Sequence, residues 1–295
     1  MKVFITGASG RIGSHIIPHL LSRGHTVTGL VRSDASAAKI SVLGKQVTPL
    51  IGTIGDNDLL VSNAKTHDAV IHCAMDPTQP NAADIEREIV KLFGDTLAGT
   101  NKVFMMSSGL GVFADGKGDE FSTPTRVDLE RCKTDILTLS LKDRGVRSIA
   151  LRLAMNTHNI EEIHIFNKMM LGASEKLGYI PYYTENIAWS ACHSDDAGLL
   201  YVLAMESAEP GSGVHALGEV VKVKDIAEAL AKRTGKKAGP VPQEKLKELG
   251  FLGYLLTWDQ THISAEYTKS TYGWEPKGQT LLEEFEQAPQ EYFGL

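Results

Sequence analysis
Cysteine is scarce in this 295-residue chain. Its three residues, Cys73, Cys132 and Cys192, stand far apart with no Cys-x-x-Cys pair, which excludes a disulfide framework and a thiolate zinc site. Charge of one sign is also missing. The chain has no Lys/Arg run and a formal net charge of −6, so it lacks the electrostatic footprint of a nucleic-acid binder. No apolar run reaches the ~18 to 20 residues that a membrane span needs. The first residues, Met1-Lys2-Val3-Phe4-Ile5, enter a turn directly, so neither a signal peptide nor a membrane partner is expected and a cytoplasmic setting is. Neither cysteines nor carboxylates gather into a ligand set, and no metal is expected.

What the chain does have is the composition of a globular α/β protein: 42% hydrophobic and 22% charged residues, with 28 Gly and 11 Pro spread along it. Short apolar runs alternate with helical stretches through the first half. Strands are expected at 2–5, 26–31, 47–51, 69–73, 102–107 and 148–153, and helices at 12–22, 85–98 and 127–142, with Gly24, Gly99 and Gly145 at their ends. That order predicts βαβ crossovers and a doubly wound parallel sheet over residues 1–155. Beyond it, helices are expected at 161–174, 196–206 and 223–234. Gly/Pro-rich loops are expected at 209–213 and 238–242. Residues 156–295 therefore read as a smaller C-terminal substrate lobe whose segments return to the sheet.

The stretch Thr6-Gly7-Ala8-Ser9-Gly10-Arg11-Ile12-Gly13 lies between the first strand and the first helix. That context turns a glycine pattern into a dinucleotide site of the Rossmann kind: Gly7 permits the tight turn, Gly10 lets backbone approach a pyrophosphate, and Gly13 lets the helix pack on the sheet. The end of the second strand decides which nicotinamide cofactor fits. It reads Val31-Arg32-Ser33, where Arg32 can fork onto a 2′-phosphate, Ser33 can add a hydroxyl, and Arg11 is within range of the same group, so NADP(H) is expected. Asp34 serves better as a cap for the following helix.

With these motifs the chain resembles the short-chain dehydrogenase/reductase superfamily, in its epimerase/dehydratase-like branch. Further carriers of the resemblance are Val70-Ile71-His72-Cys73-Ala74, Met106-Ser107-Ser108-Gly109, Arg152-Leu153, Trp189 to Ala197 and Gly273-Trp274-Glu275-Pro276. The resemblance implies that Gly7, Ser9, Gly10, Arg11, Ile12 and Gly13 form the phosphate turn. It places Ala74, Met75 and Ser107 beside the cofactor riboses or nicotinamide, with Ala154 and Met155 on the other side of the ring. It gives His193 and Asp196 packing roles, with His193 a secondary candidate for touching substrate.

Redox members of that superfamily carry a Tyr-x-x-x-Lys pair, whose tyrosine transfers the proton and whose lysine holds the ribose; four residues bring the two onto one helix face. This chain has no such pair. Counting back from Arg152 sets Arg126 in the tyrosine's place and Glu130 in the lysine's; the other register is Leu129 and Lys133. An arginine does not release its proton near neutrality, so the pair reads equally as a helix salt bridge. Ser108 remains a candidate for holding a substrate carbonyl, His158, Tyr182, Tyr183 and His193 are alternative proton donors, and Glu86 or Asp95 lies where an upstream polar residue would be. The expectation is an NADP(H)-dependent oxidoreductase or epimerase-like enzyme, monomeric or homodimeric, for a small carbonyl or hydroxyl substrate, sugar-derived ones included. The rival is a non-catalytic NADP(H)-sensing regulator.

Overall fold
A computed structural model describes residues 1–76, 79–113 and 116–294. In the first half, β1 (Lys2–Thr6), α1 (Gly13–Ser22), β2 (Thr26–Val31), α2 (Asp34–Ser41), β3 (Val47–Ile51), α3 (Asn57–Thr66), β4 (Ala69–His72), α4 (Ala82–Leu97) and β5 (Val103–Gly109) alternate strictly. They are followed by β6 (Lys117–Gly118), α5 (Glu130–Ser140), β7 (Arg147–Leu153), β8 (Asn156–His158), α6 (Ile165–Leu177), β9 (Ile180–Tyr182), β10 (Ala188–His193), α7 (Ser194–Ser207) and β11 (Ser212–Ala216). The chain ends with β12 (Glu219–Lys222), α8 (Val223–Thr234), β13 (Ala238–Pro240), α9 (Phe251–Leu255), β14 (His262–Ile263), α10 (Glu266–Tyr272) and α11 (Leu281–Gln287).

Seven strands pair in the order β11-β7-β5-β4-β1-β2-β3, and every pairing is parallel. Helices cover both faces, which is why these strands are near-continuous apolar runs. Val3 and Ile5 of β1 join one buried cluster with Ile16 and Ile17 of α1 and Leu200 of α7, while Phe4 between them joins Phe93 of α4 and Phe104 of β5 on the other face. Helix α7 packs so closely on α1 that a Cβ on Gly198 would lie 2.4 Å from the His15 carbonyl oxygen. A second apolar cluster, with Trp189, Ile226, Leu255 and Phe285, lies between α6, α8, α9, α11 and the three-stranded sheet β12-β10-β8. Trp274 ties the two halves, its indole N–H donating to the Asp196 carbonyl at 2.9 Å while the Asp196 carboxylate accepts from the Lys277 and Gly278 amides at 2.9 and 2.8 Å.

Several expectations need correcting. Residues 212–213, expected in a loop, begin β11, which completes the sheet edge beside β7. Helices α2 and α3 were not anticipated, because each buries only one or two residues. Helix α5 begins at Glu130 rather than Val127, so Arg126 precedes it and the two cannot share a helical face. Gly24, Gly99 and Gly145 do stand at φ +79, +72 and +71° just beyond helical segments.

Strand order reverses between β1 and β4: the chain steps outward from β1 to β2 and β3, then returns to β4 on the opposite side of β1. In open α/β sheets the strand ends on either side of such a reversal splay apart and leave a crevice.

Candidate functional site
The crevice is a cleft of about 580 Å³ above the C-terminal ends of β1, β2 and β4. Gly7, Ser9 and Gly10 form its floor, Arg32, Ser36 and residues 52–55 its outer end, and Cys73, Ala74, Met75, Asp76 and Glu86 its inner wall. The glycines are explained by distance. Gly7 sits at φ +70°, and a Cβ there would lie 2.9 Å from the Ala74 backbone; one on Gly13 would lie 2.3 Å from the Gly7 carbonyl oxygen. A Cβ on Gly10 would meet only that same oxygen, at 3.2 Å, and its other side is open. Bare backbone therefore faces the cleft at the start of α1, the arrangement that receives a phosphate through main-chain N–H groups and the helix dipole.

The structure brings six of the expected cofactor residues to this cleft, Gly7, Ser9, Gly10, Arg32, Ala74 and Met75. The other six lie at its back or away from it. Ile12 and Gly13 pack at the start of α1. The Ser33 hydroxyl caps α2, accepting from the Ser36 amide at 3.3 Å. Arg11 turns from the outer end: its guanidinium donates to the carbonyls of Glu162 and Ile163 at 2.8 and 3.1 Å and pairs with the Glu162 carboxylate at 3.2 Å. Ala154 is buried in the core beyond β7.

Ser107 and Ser108, adjacent on β5, face opposite ways. Ser107 Oγ accepts from the Tyr201 hydroxyl at 2.6 Å and lies 3.1 Å from both the His72 carbonyl and Cys73 Sγ. Burial lifts the Tyr201 phenol well above its ordinary value and pushes the Cys73 thiol up to about 11, so both stay protonated near neutrality. Ser108 Oγ donates to Asp135 at 2.5 Å, inside a buried network with Arg152. His193 caps α7 through Nδ1 and presents its ring edge-on to His158, 5.6 Å away. His158 is itself bonded to Glu284 at 2.8 Å.

The expected Arg126–Glu130 pair is dispersed. The Arg126 guanidinium lies 4.3 Å over Trp258 and donates to the Tyr254 hydroxyl at 2.9 Å. Glu130, at the first residue of α5, pairs with Arg87 at 2.7 Å and with Lys133 at 2.5 Å. The side chain that reaches the cleft wall is Arg131, which no register singled out. It donates to the Ser107 carbonyl at 2.5 Å and spans both oxygens of Glu86 at 3.1 and 3.2 Å. Glu86 is only 4% exposed. Burial raises its pKa, an effect that Arg131 opposes. Beside them, burial and then Arg131 hold His72 down to about 4, so it is neutral, its Nδ1 2.7 Å from the Thr6 hydroxyl.

Residues 7–135 match the NAD(P)H-binding domain family. A relative from Schizosaccharomyces pombe, an uncharacterized protein, is 34% identical over 290 residues, spanning 96% of this chain and 97% of that one. The chain belongs to the short-chain dehydrogenase/reductase superfamily, in its epimerase/dehydratase-like branch. Sterol-4-alpha-carboxylate 3-dehydrogenase, decarboxylating, of Dictyostelium discoideum is 34% identical over 103 residues, 35% of this chain and 29% of its own. The fold is also that of dTDP-glucose 4,6-dehydratase from Bacillus anthracis, solved with NAD, at a TM-score of 0.72 and 15% identity over 100% of this chain and 96% of that one. As a short-chain dehydrogenase/reductase the chain is an NAD(P)-binding protein of an oxidoreductase and epimerase-like family. Neither register read from the sequence holds a Tyr-x-x-x-Lys pair: the two positions carry Arg126 and Glu130, or Leu129 and Lys133. Among the described residues, no helix is long and apolar enough to cross a membrane.

Proposed function
We propose that the protein is an NADP(H)-dependent oxidoreductase or epimerase-like enzyme for a small carbonyl or hydroxyl compound, sugar-derived ones included. The observation that carries the NADP reading is Arg32. Its side chain is 79% exposed at the outer end of the cleft, one strand over from the glycine turn, where a ribose phosphate would lie. The open side of Gly10 and the bare turn from Gly7 fit the pyrophosphate. When bound, the cofactor supplies or accepts the hydride; the protein's part is to bind, orient and exclude water.

In this reading Gly7, Ser9 and Gly10 hold the pyrophosphate, Arg32 the 2′-phosphate, and Ala74 and Met75 the walls beside the riboses. Arg131, kept rigid by Glu86, donates to oxygens at the nicotinamide end but retains its proton. Ser108 serves a substrate only by loosening its bond to Asp135. The proton therefore comes from water or from the substrate lobe. A regulator that binds NADP(H) without turnover is the second reading, favoured by the missing Tyr-x-x-x-Lys pair. The deciding experiment offers NADPH, and separately NADP+, with a panel of aldehydes, ketones and nucleotide sugars and follows both absorbance at the reduced-nicotinamide band and the products formed, because an epimerisation returns its hydride and leaves that absorbance unchanged. Turnover of at least one class is expected, and NADPH binding with none across the panel would move the conclusion to the regulator.

A further inference from the structure
Arg32 already has a partner at the cleft mouth. Its Nη1 stands 3.8 Å from the Asp76 carboxylate, with Arg32 79% and Asp76 36% exposed. The two come from opposite sides of β1: Arg32 follows β2, and Asp76 lies four residues beyond the end of β4. Strands separated by one neighbour are about 9 to 10 Å apart, so this ion pair bridges the cleft above the glycine turn. Both side chains line it.

We propose that Asp76 is a specificity-determining residue that competes with the 2′-phosphate for Arg32 and so limits the preference for NADPH over NADH. The proposal rests on Arg32 being the phosphate's partner. An exposed, loosely held ion pair is weak and exchangeable. A phosphate monoester offers nearly two charges and three acceptor oxygens where a carboxylate offers one charge and two, so it takes the guanidinium. The displaced carboxylate stays anchored beside the site and repels the dianion. A ribose hydroxyl carries no charge, so NADH neither takes Arg32 from Asp76 nor meets that repulsion. Asp76 therefore penalises the phosphorylated cofactor alone.

The test is calorimetric titration of NADPH and NADH into the wild type, Asp76→Asn, Arg32→Ala and the double variant at low salt, with thermal midpoints confirming that each is folded. Asp76→Asn should tighten NADPH about three- to ten-fold and move NADH less than about two-fold. The gain should vanish when Arg32 is alanine. An equal shift for both cofactors would mean that Asp76 touches a part they share, weaker NADPH binding would mean that it aligns Arg32, and a gain surviving in the double variant would mean that it acts without Arg32; each overturns the proposal. If the wild type binds neither cofactor, or if Arg32→Ala leaves NADPH affinity intact, the reading of Arg32 itself falls first and takes the competition with it.

Discussion

Two arginine–aspartate pairs frame this molecule, and the surroundings make them different objects. Arg152 and Asp135 are both 0% exposed, joined by bonds of 2.9 and 3.1 Å, with Ser108 donating to the same carboxylate, the His215 ring 3.1 Å from Arg152 Nη1, and the Phe113 ring 5.1 Å from the guanidinium. Arg32 and Asp76 meet at 3.8 Å in open solvent. The buried pair has its charges and hydrogen bonds satisfied in one geometry, so it fixes α5 and β7 to the sheet and cannot be exchanged. The exposed pair meets loosely at the rim of the cleft, where Arg32 can trade partners. In our proposal, structure and selectivity thus fall to the same chemistry at different depths.

The comparison can be broken most forcefully at the buried end. Asp135→Ala leaves a guanidinium uncompensated in the core and should cost about 3–5 kcal/mol in urea unfolding; a loss under about 1 kcal/mol would show that water reaches Arg152. Smaller, and again confined to the interior, is the response to acid. Burial holds His72 at about 4 and His164 and His215 at about 3, each below its ordinary 6.5. A depressed folded pKa means that the unfolded chain takes the proton first. The stability these rings contribute is therefore present above pH 6.5 and drains away as pH falls toward 4 and then 3. Unfolding free energy should drop by at least about 2 kcal/mol from pH 7 to pH 5, and a flat profile would contradict three neutral rings. Smallest is the stability effect of Arg32→Ala, expected within about 0.5 kcal/mol of wild type by urea unfolding. A larger loss would erase the distinction between the two pairs.

The same contrast of depth explains what could be read before the fold was known. The first strand, glycine turn and helix were legible because their constraints are local: Gly7, Gly10 and Gly13 are set by contacts within the turn and with Ala74. The inner strands were legible because burial on both faces leaves continuous apolar runs. Strand β11 was hidden because it starts at Ser212-Gly213, in what reads as a Gly/Pro-rich loop, and its strand character comes from pairing with β7 some sixty residues earlier. The catalytic register failed for a similar reason. Only the packing of Arg126 on Trp258, far along the chain, and the late start of α5 reveal that Arg131 is the residue turned toward β5.

Arg11 sits inside the glycine turn, between Gly10 and Ile12, yet its guanidinium holds the carbonyls of Glu162 and Ile163, and Ile163 belongs to the second apolar cluster. The turn and the threshold of α6 are therefore mechanically one piece. Any opening of the second apolar cluster away from the glycine turn would have to pivot at Arg11 or break its hold, leaving two carbonyls to find water. A transplanted glycine turn without that arginine would keep the cradle and lose the hinge pin.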